Sequence, residues 1–307
     1  MTLGDPRGIG PELALSVATR FLDEDPDIAL LLVGPEGITA EGLDYRPVAA
    51  WDGTQASAGT VAARSIEVAV ELATSGEVAG IVTSPIHKPA LAEAGWNVPG
   101  HTEMLKELTG SERVGMLMCA ERTAVGAPLR VLLATTHVAL RDVAEMLTTE
   151  LLVTQTELLA ASLVEAWDLP SPRIALCALN PHASDHGLFG DEEARVMIPA
   201  VETLRERGIS VQGPVPADTA FSRALAGDFD AVVAPYHDVG MAPFKAVSFG
   251  HGVNVTLGLP FVRTSPDHGT AFHLAGTGAA DPSSMMEAVR LAARLARKRF
   301  DTAVAGV

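Results

Sequence analysis

The stretch Ala231-Val232-Val233-Ala234-Pro235-Tyr236-His237-Asp238-Val239-Gly240 reads as a short buried strand that stops at a proline and hands a histidine and an aspartate to the following turn. The pattern recurs twice. Residues 129–135 are mostly apolar and lead into Thr136-His137, and residues 174–179 lead into Asn180-Pro181-His182. Open α/β sheets place ligands at the carboxyl ends of their strands. Three such ends, each with an imidazole, suggest a metal centre with three nitrogen ligands and positions left open for substrate. Any one of these histidines alone also fits a surface or packing role. Their shared strand-end setting is what singles them out.

Outward from these strands, the chain alternates apolar runs with helical spacing. Residues 28–33, 79–82, 114–119 and 252–259 read as strands. Residues 11–22, 58–75, 149–167, 190–207 and 282–300 read as helices, two of them stopped by Gly76 and Gly208. Residues 35–54 read as irregular. Met1 to Leu3 reads as the tail of a strand whose first residues lie ahead of it. The alternation predicts an α/β/α sandwich with a mostly parallel sheet. At 307 residues the chain exceeds the usual single core, so two domains or one large α/β unit are expected.

Composition narrows the function classes. The formal net charge of −16 argues against nucleic acid or an anionic membrane as partner. An anionic substrate then needs a local basic pocket. Cys119 and Cys177 lie in apolar runs and read as buried thiols rather than a disulfide framework. The amino end shows no basic segment followed by an apolar one, and no apolar run approaches the roughly 18 residues of a membrane span. A soluble cytoplasmic protein is expected.

Further constellations carry chemistry. Gly4-Asp5-Pro6-Arg7-Gly8-Ile9-Gly10-Pro11-Glu12 sits between a strand tail and a helix, where glycines admit close approach by a ligand or by another segment. It lacks the spacing of a dinucleotide fingerprint. Lys88, His101, Thr102, Lys245 and Arg263 lie beside glycines and prolines and form a candidate set of anion donors. His101-Thr102 opens a helix, whose free amides suit phosphate or carboxylate. Pro266-Asp267-His268-Gly269-Thr270-Ala271, running on to Gly276-Thr277-Gly278, is a candidate nucleotide loop.

Together these motifs resemble the PdxA family, the 4-hydroxythreonine-4-phosphate dehydrogenases of pyridoxal phosphate synthesis. The matching stretches run from Gly4 to about residue 281. They include the glycine motif of residues 4–12, Gly-His-Thr-Glu at 100–103, Thr-Thr-His-Val-Ala-Leu-Arg-Asp at 135–142 and Leu-Asn-Pro-His-Ala at 179–183. Gly-Pro-Val-Pro-Ala-Asp-Thr-Ala-Phe at 213–221, Tyr-His-Asp at 236–238 and the segment 252–265 follow. The chain departs from the family at Val239, at Met241-Ala242-Pro243-Phe244 and at Pro266. These changes flank Lys245 and leave the exact substrate open.

The resemblance implies an isocitrate/isopropylmalate-dehydrogenase-like α/β/α architecture of two domains with a cleft. Residues 1–118 with 256–307 would form the first domain, with the nucleotide loop, and residues 119–255 the second, with metal and dimer contacts. It implies that His137, His182 and His237 ligate one divalent metal (Zn, Mg, Mn or Co), in a site shared between the two chains of a homodimer. The apolar stretch of residues 114–118, expected to be exposed, fits the dimer. The resemblance further implies that His101, Thr102, Lys245, Asn254 and Arg263 contact a small phosphorylated hydroxy acid, that Lys245 and Asp218 are the catalytic candidates, and that His268, Gly269, Thr270 and Gly276 hold NAD or NADP. The implied reaction oxidises the 3-hydroxyl of 4-phosphohydroxy-L-threonine, with decarboxylation. A sister branch, acting on 4-phospho-D-threonate or 4-phospho-D-erythronate, fits as well. A non-catalytic ligand-binding homologue and a metal-dependent hydrolase are the competing classes.

Overall fold

The computed structural model describes residues 1–248 and 250–305, with side chains up to residue 298. The chain is α/β and divides into two compact units, Met1–Val114 with Val253–Val307, and Gly115–Gly252. The first segment of the first unit contains α1 (Gly10–Glu24), β1 (Leu31–Pro35), β2 (Asp44–Ala49), α2 (Gln55–Thr74), β3 (Gly80–Val82), α3 (Lys88–Glu93) and α4 (His101–Thr109). Thr54 caps α2 by accepting from Ser57 N, and α2 buries Val61, Ala62, Ile66 and Ala69. Ile66 packs with Ile81, Leu91, Met104, Leu105 and Phe261 in one apolar cluster.

Residues 35–54 are not all irregular, because β2 runs parallel to β1 with Leu31 beside Asp44 and Val33 beside Arg46. Its exposed Asp44 and its Arg46-Pro47 pair break the apolar signal of a buried strand. Such a composition suits a sheet edge, where charge and proline deter further pairing.

The second unit holds β4 (Gly115–Ala120), β5 (Leu129–Leu133), α5 (Val143–Met146), α6 (Thr149–Trp167), β6 (Ile174–Cys177), α7 (Ile198–Glu206), β7 (Val211–Val215), α8 (Ala217–Leu225), β8 (Ala231–Ala234) and α9 (His237–Ser248). Its strand order is β4-β5-β8-β6-β7. The pairings β5–β8, β8–β6 and β6–β7 are parallel, whereas β4 runs antiparallel to β5. Every residue of β5, β6 and β8 is buried, as a sheet covered on both faces requires. The stretch 114–118 is not exposed. It enters β4, where Leu117 and Met118 are 0% and 3% exposed. Cys119 and Cys177 are buried thiols outside any disulfide, and burial pushes the Cys177 thiol up to about 12.

Gly240 sets how closely α9 lies on this sheet. A Cβ there would meet Leu133 Cδ2 at 2.7 Å, Ala234 Cβ at 2.9 Å and Val131 Cγ1 at 3.0 Å. Two of these neighbours belong to β5 and one to β8, so the glycine seats the start of α9 over the ends of both strands. Gly240→Ala is expected to destabilise the protein by about 1–3 kcal/mol through overpacking. Denaturant unfolding checks this, and an unchanged midpoint would show that the contact can relax.

The chain then returns to the first unit through β9 (Val253–Leu257), β10 (Val262–Pro266) and α10 (Ser283–Ala305). β10 lies between β3, parallel, and β9, antiparallel. The sequence signal for β10 is weak because Arg263, Thr264 and Ser265 are polar, yet all are buried.

Candidate active site

The parallel pairing of β5 and β8 continues beyond both strands. Ala134 N donates to Ala234 O at 2.9 Å, and Thr135 donates to Pro235 O through its amide at 3.3 Å and its hydroxyl at 2.8 Å. This ladder delivers the next residues side by side, and the His137 and His237 rings lie with centroids 5.5 Å apart, tilted by 40°. His237 opens α9, and its Nδ1 is 2.7 Å from Asp238 Oδ1. A carboxylate on one ring nitrogen fixes the imidazole's orientation and leaves the other nitrogen for a ligand. Two imidazoles at adjoining strand ends, one of them oriented in this way, fit part of a divalent-metal site.

His182 is not joined to that pair. Among the described residues no group of three or more His, Cys, Asp or Glu side chains is set to hold a metal. His182 instead begins a left-handed run, with φ of 54° at His182 and at Ala183, 65° at Ser184, 43° at Asp185 and 58° at His186. The buried carboxylate of Glu193 anchors the turn before it. Glu193 Oε1 accepts from Leu179 N at 3.0 Å and Asn180 N at 2.7 Å, and Oε2 accepts from Asn180 Nδ2 at 2.9 Å. Sequence reasoning missed Glu193. The acidic run Asp191-Glu192-Glu193 beside Asn180-Pro181-His182 was the available signal.

The first unit contains a different arrangement. Arg263 is 1% exposed. It donates through its terminal nitrogens to Thr256 Oγ1 at 2.9 Å and Thr83 Oγ1 at 2.6 Å. Both partners are neutral hydroxyls, and among the described residues no carboxylate joins them and the buried Nε makes no hydrogen bond. Burial pushes the guanidinium down to about 9, which still leaves it cationic at neutral pH. His101 is the first residue of α4, and burial, then the charge of Arg263, hold its imidazole well below 6.5. Its Nε2 and the Oδ1 of Asn254 are buried without partners. Asn254 and Thr256 share a face of β9, two residues apart. An isolated buried cation is costly unless paired, so a cation fringed by unpartnered polar atoms is suited to receive an anion.

Thr83 and Thr256 were not singled out from sequence; only their place in otherwise apolar strands marked them. Thr256→Val should weaken affinity for a phosphate ester about tenfold, because a hydrogen bond to a charged group contributes roughly 1.5 kcal/mol or more. Thr256→Ser should restore it. Calorimetric titration checks both, and unchanged affinity in the valine variant would remove the positioning role.

The loop between β10 and α10 is anchored on the glycine motif of residues 4–12. Ile9 N donates to Thr270 O at 3.0 Å, and Gly276 N donates to Glu12 Oε2 at 2.9 Å. A Cβ at Gly8 would meet Thr270 O at 2.7 Å. The motif therefore packs closely against the loop, which leaves Gly269, Gly276 and Thr277 exposed and the buried Nε2 of His268 unpartnered. A rigidly held loop with exposed backbone and one orphan nitrogen fits a nucleotide. Thr102 follows His101 in the first turn of α4, and Lys88 is exposed at the start of α3. Lys245 is exposed on α9, eight residues beyond His237 and so about 12 Å along the helix. Asp218 is exposed in the first turn of α8, where an acidic residue also suits the helix dipole.

Residues 32–292 match the family described as pyridoxal phosphate biosynthetic protein PdxA. The chain is 41% identical to a 4-hydroxythreonine-4-phosphate dehydrogenase of Chromobacterium violaceum, covering 96% of both proteins. It is 39% identical to a D-threonate 4-phosphate dehydrogenase of Pectobacterium atrosepticum, covering 96% of this chain and 98% of the other. A crystal structure of 4-hydroxythreonine-4-phosphate dehydrogenase from Klebsiella pneumoniae superposes with a TM-score of 0.80 at 38% identity, covering 96% of this chain and 98% of that one.

Proposed function

Because this chain belongs to the PdxA family, we propose that it is an NAD(P)-dependent oxidoreductase that oxidises the 3-hydroxyl of 4-phosphohydroxy-L-threonine to a ketone, with loss of CO₂ from the resulting β-keto acid. The observation that carries the phosphorylated substrate is Arg263, a fully buried cation with only hydroxyl partners. His101, Thr102, Asn254 and Arg263 bind the anionic and polar groups of the substrate. His137, His182 and His237 would hold the divalent metal, which would supply Lewis acidity toward the substrate hydroxyl. The loop of His268, Gly269, Thr270 and Gly276 would hold NAD or NADP, which would supply the hydride acceptor. Lys245 binds the substrate carboxylate or assists proton transfer, and Asp218 serves as an acid/base.

His182, which stands apart from the histidine pair, supports a metal site completed in a homodimer. Exposed Leu140, Met146, Leu188 and Phe189 in the second unit give a second copy apolar surface to cover. Among the described residues no helix is long and apolar enough to cross a membrane.

The relative named for D-threonate 4-phosphate is almost as similar as those named for hydroxythreonine phosphate, so 4-phospho-D-threonate and 4-phospho-D-erythronate are the second reading. A nicotinamide-reduction assay with divalent metal tests both. Turnover of 4-phosphohydroxy-L-threonine well above the other two supports the first reading, and the reverse supports the second. If none of the three reduces NAD or NADP, and neither nucleotide raises the melting temperature, the dehydrogenase reading fails.

A further inference from the structure

NAD and NADP differ at one position of the adenosine ribose, where the first has a hydroxyl and the second a phosphate. A site that selects NAD sets a carboxylate there, which accepts from the hydroxyl and repels a phosphate, whereas a donor or cation accommodates the phosphate. The loop between β10 and α10 is pinned at both ends, through Thr270 to Ile9 N and through Gly276 to Glu12. Between the pins stand Ala271-Phe272-His273-Leu274-Ala275. Turns fix their backbone, with Leu274 N donating to Ala271 O at 2.8 Å and Ala275 N to Phe272 O at 3.3 Å. The Phe272 ring lies over Arg7, 5.1 Å from the guanidinium carbon, and meets the His87 ring edge-on at 5.2 Å. Arg7 is itself held, donating to Asp5 at 3.0 and 2.7 Å and to Gln55 at 3.1 Å. Of the five side chains between the pins, His273 is the one with polar atoms. It is exposed and, among the described residues, has no hydrogen bond or ion pair. No Asp or Glu stands between residues 268 and 280. The carboxylates that border the loop already have partners. Asp267 accepts from the Ser284 hydroxyl at 3.1 Å and Asp281 from Ser283 N at 2.9 Å. Glu12 accepts from Gly276 N with one oxygen and buries the other.

We infer that this loop selects NADP over NAD, and that His273 makes the choice by donating to the ribose phosphate. The inference rests on the proposed dehydrogenase reading, in which the loop holds the nucleotide. An imidazole has an N–H to donate whether it is neutral or charged. The loop is held by Arg7, Ile9 and Glu12, so little ordering is needed to present that donor. No carboxylate in the loop competes by repelling the phosphate. The net charge of −16 weighs against the more anionic cofactor at long range. The preference therefore depends on this local donor and falls when it is removed.

Calorimetric titration of the full chain with NAD⁺, NADP⁺, 5′-AMP and 2′,5′-ADP tests this without any turnover. NADP⁺ should bind at least about tenfold more tightly than NAD⁺, and 2′,5′-ADP more tightly than 5′-AMP by a similar factor, as one hydrogen bond to a phosphate implies. His273→Ala should remove most of the preference, His273→Lys should keep it, and His273→Asp should reverse it. All three should melt with the parent, because the side chain is exposed. NAD⁺ binding as tightly as NADP⁺ overturns the inference and leaves the dehydrogenase reading standing. A preference for NADP⁺ that survives in both His273→Ala and His273→Asp overturns the role of His273. If neither dinucleotide binds, the loop is not a nucleotide site, and the inference falls together with the reading beneath it.

Discussion

Arg263→Met will lower kcat/KM for the phosphorylated substrate by on the order of a hundredfold or more, and the protein will remain folded. The guanidinium is 1% exposed and, among the described residues, bonds only to Thr83 and Thr256, so in the absence of an anion it is a desolvated charge. Each charge-assisted hydrogen bond to a phosphate contributes roughly 1.5–3 kcal/mol, and a bidentate contact would lose two. The loss falls mainly on KM, since the phosphate is bound alike in ground and transition states. Stability should hold or rise, because an apolar side chain of similar length removes a buried cation without orphaning an opposite charge. Steady-state kinetics with thermal melting separates the outcomes. A folded variant with parental KM would remove Arg263 from the site.

His237→Ala is expected to abolish tight divalent-metal binding and to lower kcat by at least about a hundredfold, with the fold intact, since the ring is partly exposed at the start of α9. Asp238→Asn tests the orienting contact at 2.7 Å. It should cost about 10–100-fold in metal affinity, the usual range for a partner of a metal-bound imidazole. Elemental analysis and metal titration of both variants check this. Parental metal content in His237→Ala would break the assignment.

The buried strands and the long helices were legible because their signals are local. Residues 149–167 carry helical spacing from end to end, and 231–234 is an unbroken apolar run, and both elements form where read. What stayed hidden depends on distant partners. β10 is polar because Arg263 bonds across the sheet and Thr264 bonds to α10, so both are buried with partners. β7 and α9 contain Gly213, Pro214, Gly240 and Pro243, residues that locally argue against strand or helix. At the site, strand-end position brought His137 and His237 to notice. Thr83 acts through Arg263, which lies far from it in sequence, so no motif marks it, and Glu193 acts on the backbone amides of Leu179 and Asn180, where only its acidic run gave a signal.

The left-handed run from His182 to His186 has a consequence for how a divalent metal would be loaded. Left-handed backbone disfavours residues with a Cβ by roughly 1–2 kcal/mol each, and none of the five is glycine. The bonds of Glu193 hold the residues just ahead of the run, and the run itself buries only Ser184. The segment is therefore poised as the first part of the second unit to open. Ligation through His182 would hold it shut, making loading and local closure one event. Metal-free protein should then be cut by proteases near residue 185 and spared elsewhere in that unit, so a simple digest reports metal occupancy.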